Sequence, residues 1–257
     1  MGRRVLLIAN REKPDAVAAL PEVRALVAGA GGSVVGELDA GPEPPRVPEA
    51  TDLIIVLGGD GSILSQSRRL AHLGLPMLGV NLGKVGFIAE FDLPDLRRQA
   101  GSLLGGRALP VFDRPMLRAR VLEPGAATPR FEGTALNDCV ITAGPPFRMI
   151  WLTLSIDGRP GPTVVGDGLI VSTPLGSTAY NVSAGGPIVS PDVPALSITP
   201  IAAHSLSFRP VLVGLESSAT VTLERVNREE EAEPARCAGT TLVLDGQVLA
   251  PLRRGDR

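Results

Sequence analysis

The first hundred residues alternate between short apolar runs and helix-like stretches. Val5–Ala9 and Leu53–Leu57 are uninterrupted apolar runs, which are typical of strands buried on both faces of a parallel sheet. Further strands are predicted at Ser33–Glu37 and Met77–Val80, and helices at Asp15–Ala28 (interrupted by Pro21), Ser62–Leu73 and Pro94–Leu104. This alternation predicts an α/β N-terminal domain with an open, mostly parallel sheet over residues 1–110.

The pattern changes after Pro110, where strand-like segments follow one another between turns rich in Pro and Gly. The segments are Met116–Leu122, Ala135–Thr142, Trp151–Ile156, Leu169–Ser172, Val211–Gly214 and Ala219–Val226. A closing hairpin is predicted around an Asp245-Gly246 turn, with strands at Thr241–Leu244 and Gln247–Leu249. One helix is predicted near Gly176–Ala184, and the charged run Arg228–Glu233 is interpreted as a solvated loop. Residues 111–257 are therefore predicted to form a β-rich C-terminal domain.

Composition narrows the class of protein. Of 257 residues, 44% are apolar and 20% charged, so the chain can bury a core and is not disordered. With 25 basic and 27 acidic residues, it has no basic excess for binding nucleic acid. It has neither an apolar run of about 18 residues nor a signal peptide, so a cytoplasmic protein without a membrane partner is expected. Two cysteines (Cys139, Cys237) and two histidines (His72, His204) indicate neither a disulfide framework nor a structural zinc site.

The sharpest chemical feature is the loop Gly58-Gly59-Asp60-Gly61-Ser62, which follows a buried strand and opens a helix. Its three glycines would allow positive φ and a close approach of backbone to ligand. Exposed N–H groups and a helix N-terminus favour an anion such as a phosphate, and Asp60 would be placed there as a general base. The alternative is a tight turn with an Asp helix cap. No Gly-Lys-Ser/Thr follows, so the loop is not a Walker A motif.

Three other segments carry polar groups at strand ends. The segment Asn81–Phe87 repeats the strand-then-glycine layout and is a candidate second wall of the pocket, with Lys84 either reaching a phosphate or standing exposed. Hydroxyl and amide groups that suit sugar and amide recognition follow another strand, at Ser177, Thr178, Tyr180, Asn181 and Ser183. Asn137 and Asp138 pair an amide with a carboxylate, which suits purine or ribose recognition but also an ordinary turn.

Together these motifs resemble the NAD kinase family. Gly-Gly-Asp-Gly-Ser at 58–62, Asn-x-Gly-x-x-Gly-Phe at 81–87, Asn-Asp at 137–138 and Asp-Gly…Ser-Thr-Pro-x-Gly-Ser-Thr-Ala-Tyr at 167–180 occur in that order. Pro200…His204-Ser205-Leu206…Arg209-Pro210 follows them, and we assign His204 and Arg209 to structure first. The stretch ending at Tyr180 is highly specific, whereas lipid kinases and phosphofructokinases also have a loop like the first one.

The resemblance implies transfer of the terminal phosphoryl group of ATP, or of polyphosphate, to the 2′-hydroxyl of the adenosine ribose of NAD, with Mg²⁺ carried by ATP. Asp60 matches the family's proton acceptor. The implied phosphate contacts are Gly58, Gly59 and Gly61, and the implied NAD contacts are Asn137, Asp138, Arg148, Asp167, Thr178, Ala179, Tyr180, Asn181, Ser183 and Gln247. The resemblance also implies a homo-oligomer, either a dimer or a tetramer, and a C-terminal domain that binds NAD.

The sequence departs from the family pattern in places. Ser62 replaces the usual Thr, Leu175 replaces a Ser or Thr, and Val165 stands where a basic residue can occur. The family pattern continues with another strand beyond Arg257, so either a shortened family member or a truncated chain is expected, and the missing strand would expose a sheet edge. Two alternatives stay open: a catalytically weak NAD(P)-binding regulatory protein, which these departures suggest, and a lipid or sugar kinase that shares the first loop.

Overall fold

The computed structural model describes residues 2–41, 45–83, 86, 88–204, 208–227 and 239–257. The chain divides into two units, Met1–Asp113 and Arg114–Arg257. Lys84, for which a phosphate contact and an exposed position were both open, lies outside the described residues, as do the loop Arg228–Glu233, Cys237 and the Ser205-Leu206 pair. Among the described residues, no helix is long and apolar enough to cross a membrane.

The N-terminal unit is built on five parallel strands. They are β1 (Arg4–Ala9), β2 (Ser33–Asp39), β3 (Leu53–Leu57), β4 (Met77–Asn81) and β5 (Phe91–Asp92). Their order across the sheet is β2-β1-β3-β4-β5, and each neighbouring pair is parallel. The two central strands, β1 and β3, correspond to the uninterrupted apolar runs. The predicted open parallel sheet is confirmed.

Three helices cover both faces of this sheet: α1 (Pro14–Gly29), α2 (Asp60–Leu70) and α3 (Leu93–Leu103). A 3₁₀ turn, Ala71–Leu73, follows α2. Alternate residues of β1 and β3 enter two separate cores, one with side chains of α1 and α3 and the other with side chains of α2. Covering both faces explains why these strands are continuously apolar instead of alternating.

Helix α1 is not interrupted at Pro21, contrary to the prediction. The helix runs on through this residue to Gly29. A proline removes only its own N–H, which would have bonded the carbonyl of Val17, and Val17 is exposed to water. Buried Leu20 and Val23 on either side of Pro21 hold the helix against the sheet, so packing outweighs the local disruption.

The C-terminal unit consists of antiparallel sheets, which confirms the predicted β-rich character. A six-stranded sheet has the order β13-β12-β11-β8-β15-β16, a three-stranded sheet the order β10-β9-β14, and a hairpin pairs β6 with β7. The strands are β6 (Leu117–Val121), β7 (Phe131–Ala135), β8 (Asp138–Thr142), β9 (Ile150–Ile156), β10 (Arg159–Gly166), β11 (Gly168–Ser172), β12 (Ala195–Ile201), β13 (Val211–Gly214), β14 (Ala219–Arg225), β15 (Thr241–Leu244) and β16 (Val248–Pro251).

Three strands of this unit, β7, β10 and β12, are additional to those predicted. β10 contains Pro160 and Pro162 and β12 contains Pro200, and prolines weaken the sequence signal of a strand. β10 tolerates its prolines because it is an edge strand whose register shifts between Pro160 and Thr163. The predicted strand Ala135–Thr142 corresponds to β8, which begins three residues later at Asp138, while β7 (Phe131–Ala135) shares only Ala135 with it. The predicted helix near Gly176–Ala184 is a 3₁₀ turn, Leu175–Thr178, followed by the short helix α4 (Tyr180–Ser183).

Candidate active site

The first glycine loop joins β3 directly to α2, which begins at Asp60 and not at the predicted Ser62. Neither Gly58 nor Gly59 has a positive φ, and Gly59 has φ −80° and ψ −177°, so the expected left-handed backbone is wrong for these two. Gly58 is needed for lack of space instead, because a Cβ there would lie 2.6 Å from Ser62 Oγ in the first turn of α2. A Cβ at Gly59 would meet no heavy atom of the described residues within 4 Å. The backbone at Gly59 is therefore open to a ligand, and Gly61 is exposed beside it.

Backbone N–H groups just after the second glycine-rich segment bind the Asp60 carboxylate. Asp60 Oδ1 accepts hydrogen bonds from the backbone N–H groups of Ile88 (3.2 Å) and Ala89 (3.0 Å). A Cβ at Gly86 would lie 2.5 Å from Asp60 Oδ2 and closer still to Oδ1. The two loops meet because β3 and β4 are neighbours in a parallel sheet, so their carboxyl ends share one edge. Asp60 is thus held in one orientation at the start of α2.

In the C-terminal unit, the break between β7 and β8 is held by Asp245, in the turn of the last hairpin. Asp245 Oδ1 accepts the N–H groups of Asn137 (2.7 Å) and Asp138 (3.2 Å), and Oδ2 accepts that of Leu136 (3.0 Å). Asp245 has φ +50°, a left-handed conformation that Asp and Asn adopt more readily than most residues. From the sequence, Asp245 is predicted only as a turn residue. Its Asp-Gly signal explains the hairpin and gave no sign that the side chain reaches back to another strand.

Asp138 and Asn137 offer two buried acceptors. Asp138 is 5% exposed, and burial, followed by the charge of Asp245, raises the pKa of its carboxyl group to about 6. Among the described residues, no group donates a hydrogen bond to the Asp138 carboxylate, and Asn137 Oδ1 is buried without a partner. Buried polar groups are normally hydrogen-bonded. The Asn137 amide oxygen and the Asp138 carboxylate therefore suit a ligand that brings hydrogen-bond donors, such as hydroxyl or amino groups.

The hydroxyl-rich segment packs against the same break. Thr173 Oγ1 donates to the carbonyl of Leu136 (2.7 Å), and Thr173 N–H donates to that of Asn137 (2.9 Å). A Cβ at Gly176 would lie 2.6 Å from Asn137 Cα, so only glycine fits there. Two motifs that are about 40 residues apart in sequence thus form one cluster at the start of β8.

The predicted contacts on the turn after this segment differ in accessibility. Tyr180 and Ser183 are exposed, Thr178 is partly buried, and Ala179 links the 3₁₀ turn to α4. Asn181 is completely buried, and its amide is saturated by protein groups. Its Nδ2 donates to the carbonyls of Ser177 and Pro187, and its Oδ1 accepts from Ser197 and Thr199. Asn181 therefore holds the turn in place, and its predicted contact with NAD stays a prediction.

Arg148 and Asp167 lie at the other end of β8. Asp167 precedes β11, and its carbonyl accepts the N–H of Ala143, the residue after β8. Arg148 is exposed in the following loop, whose backbone is held by Asn227. Asn227 Nδ2 donates to the carbonyls of Ala143, Gly144 and Arg148. The structure thus separates the predicted NAD contacts into two groups, one at each end of β8. Gln247 is exposed in the Asp245 turn and belongs to the group that contains Asp138.

A glycine loop that presents a fixed carboxylate at the edge of an open parallel sheet suits phosphoryl transfer, which depends on positioning and on a group that accepts the proton. Two family models match the chain: the ATP-NAD kinase N-terminal domain at residues 44–108 and the ATP-NAD kinase C-terminal domain at 136–254. The chain belongs to the NAD kinase family, whose members are phosphotransferases that act on a hydroxyl group. The predicted family, fold class and enzyme class are confirmed.

Individual relatives agree with this assignment. The chain is 42% identical over 207 residues to an NAD kinase of Desulforamulus reducens, covering 80% of this chain and 67% of the relative. It is 37% identical to an NAD kinase of Syntrophotalea carbinolica, covering 99% and 88%. It also resembles the crystal structure of yeast NADH kinase complexed with NADH (TM-score 0.77, 26% identity, covering 99% and 77%). The structure of an NAD kinase from Archaeoglobus fulgidus in complex with ATP shares the fold (TM-score 0.68, 24% identity, covering 98% and 88%). A lipid or sugar kinase is thereby disfavoured.

Proposed function

We propose that this NAD kinase family member transfers the terminal phosphoryl group of ATP, or of polyphosphate, to the 2′-hydroxyl of the adenosine ribose of NAD, which makes NADP. The observation that carries the proposal is the Asp60 carboxylate, fixed at the start of α2 by the N–H groups of Ile88 and Ala89. We assign the phosphate loop to residues 1–110 and NAD binding to residues 111–257. The relatives named NAD kinase and the yeast NADH kinase bound to NADH support this assignment.

Asp60 is proposed to accept the proton of the attacking hydroxyl group. Phosphoryl transfer depends mainly on positioning and on stabilising charge, and a correctly placed carboxylate suffices to receive the proton. The N–H bonds to Oδ1 remove the rotational freedom that an exposed aspartate would have, so the carboxylate is already oriented before substrate binds. Gly58 and Gly59, with Gly61, are proposed to lie against phosphates, since the backbone at Gly59 is open.

Magnesium is proposed to enter with the phosphate donor. Among the described residues, no group of three or more His, Cys, Asp or Glu side chains could hold a metal ion. The donor set fits Mg²⁺ all the same, because this ion is commonly held by one or two carboxylates together with substrate phosphates and water. Asp60 is the residue of the loop that would contribute such an oxygen. When bound, Mg²⁺ would neutralise charge on the phosphates.

The C-terminal unit is proposed to bind the dinucleotide through hydrogen bonds and one aromatic contact. The Asn137 amide oxygen and the Asp138 carboxylate would accept hydrogen bonds from the ligand, since they have no donor within the described protein. Exposed Tyr180 would pack on a planar ring. The remaining proposed contacts are Arg148, Asp167, Thr178, Ala179, Asn181, Ser183 and Gln247. A cytoplasmic homo-oligomer, either a dimer or a tetramer, is part of the same proposal.

The test is an assay in which ATP and polyphosphate are crossed with NAD and NADH in the presence of Mg²⁺, with and without a chelator. We expect NADP from ATP and NAD, and loss of product on chelation. Asp60→Asn should lower kcat by about 10²-fold or more, the usual scale for a general base, with NAD affinity within a few-fold. A wild-type protein that binds NAD but forms no phosphorylated product from either donor would favour the regulatory alternative.

A further inference from the structure

Asp245 is a buried carboxylate that has no part in the proposed phosphoryl transfer. It is 7% exposed, yet it accepts hydrogen bonds from three successive backbone N–H groups, those of Leu136, Asn137 and Asp138. The exchange is mutual, because the Asp245 N–H donates to the carbonyl of Asp138 (3.0 Å). The closing hairpin and the break before β8 are therefore locked together at this one side chain.

This arrangement places the carboxylate of Asp245 near that of Asp138, and two neighbouring negative charges are less stable in a buried site than one. Burial already disfavours the ionised form of Asp138, and the neighbouring charge of Asp245 disfavours it further. Within the part of the chain that the structure describes, the Cys139 thiol on β8 is a further titratable group close to the pair, and burial and both carboxylates raise its pKa. From β11, the residue opposite Asp138 is Ser172, which is uncharged.

We propose, on the basis of the proposed function, that Asp245 is the positioning residue of the dinucleotide site. By fixing three consecutive N–H groups, it sets the backbone from which Asn137 and Asp138 present their acceptor oxygens to the ligand's donors. Asp245 acts through these two residues and does not itself touch the substrate. A flexible break would let Asn137 Oδ1 and the Asp138 carboxylate seek water or protein donors, and ordering them on binding would then weaken the complex.

The chain contains a matched control for this inference. Asp157-Gly158 is also an Asp-Gly turn of an antiparallel hairpin, with Asp157 at φ +51°. Its carboxylate accepts a single N–H, from Ser218 (2.8 Å), on the surface. Asparagine tolerates the left-handed conformation as well as aspartate does. Asp245→Asn and Asp157→Asn therefore keep both turns and remove one charge each.

The experiment measures NAD binding by calorimetry between pH 5 and 8, the KM for ATP, and thermal unfolding, for the wild type and both variants. For Asp245→Asn we expect the Kd for NAD to rise by about tenfold or more with the KM for ATP within twofold, because the misplaced groups bind only the dinucleotide. The midpoint of the pH dependence of NAD binding should also move to lower pH, since removing the negative charge eases ionisation of Asp138. Asp157→Asn should change neither quantity by more than twofold.

Two further measurements keep the inference falsifiable. If Asp245→Asn does not fold, Asp245→Ser is measured in its place, since it also removes the charge. In an Asp138→Asn background, the change at 245 should have a much smaller effect on NAD binding, because a residue that acts through another is non-additive with it. An Asp245 variant with lowered thermal stability but wild-type NAD affinity and an unmoved pH midpoint would overturn the inference. A wild type that binds NAD without phosphorylating it refutes the proposed function alone, and one that binds no NAD refutes both.

Discussion

Replacing Gly86 by alanine tests whether the orientation of Asp60 controls the rate. The new methyl carbon would lie 2.5 Å from Asp60 Oδ2 and nearer to Oδ1, whereas ordinary contact begins at 3.4 Å. The carboxylate must therefore move by at least about 0.9 Å, the difference between these distances, or the second loop must retreat and release the N–H groups of Ile88 and Ala89. Misplacement of about 1 Å can cost roughly 10²-fold in rate.

We expect Gly86→Ala to lower kcat by about 10²-fold, close to the effect of Asp60→Asn, with little change in NAD affinity. The backbone at Gly86 is not left-handed, so the cost is steric, about 1–3 kcal/mol of overpacking, and the protein should stay folded. The assay is steady-state kinetics together with a thermal melt and NAD titration.

Gly101→Ala is the matched control, because a Cβ at this position of α3 meets no heavy atom of the described residues within 4 Å. That variant should keep the wild-type rate. If Gly86→Ala is folded and its kcat stays within threefold of wild type, then the grip of the second loop on Asp60 has no bearing on catalysis.

Two other predictions concern buried polar groups. Because the pKa of Asp138 is raised to about 6, above the ordinary 3.8, the folded protein holds its proton more tightly than the unfolded chain, so this group lowers stability as pH rises through that window. Asp138→Asn should therefore raise the unfolding free energy at pH 8 by up to about 3 kcal/mol and have much less effect at pH 4. Denaturant melts at both pH values check this, and an equal effect at the two would contradict the assigned shift. Asn181→Ala should lower the free energy of unfolding by roughly 2–5 kcal/mol, because it removes the acceptor of the Ser197 and Thr199 hydroxyls and the donor to the carbonyls of Ser177 and Pro187. The exposed control Ser183→Ala should change the melting temperature little. An Asn181→Ala variant that melts like the wild type would show that the buried network contributes nothing to stability.

Local patterns predicted the N-terminal sheet well because its strands are buried on both faces. The runs Val5–Ala9 and Leu53–Leu57 lie next to predicted helices and glycine turns, and their continuous apolar sequence indicates a strand buried on both faces. The C-terminal unit was harder to predict. Prolines in β10 and β12 obscured these two strands, because a proline weakens the sequence signal of a strand both at a sheet edge, as in β10, and inside a sheet, as in β12.

The candidate site was predictable as a set of residues but not as an arrangement. The motifs predicted Asp60, Asn137 and Asp138 as polar groups at the ends of strands, and in the structure all three lie at strand ends. The part played by Asp245 could not be predicted, because its contacts lie more than 100 residues away along the chain. Asn181 presents the opposite problem, since a polar residue in a hydroxyl-rich motif gave no indication that it would be buried and saturated.

Strand β8 has a consequence for how this kind of site can change. The two groups of proposed NAD contacts lie at its two ends, four residue steps apart, a separation of about 14 Å at roughly 3.4 Å per residue. A strand in the middle of a sheet can neither stretch nor bend to alter that distance. Inserting one residue at its start would turn every following side chain to the opposite face, so Cys139 and Ile141 would leave the core against which they pack. The distance between the two groups of contacts can therefore change only in steps of two residues, about 7 Å. The length of β8 thus fixes the length of ligand that both groups could bind at once.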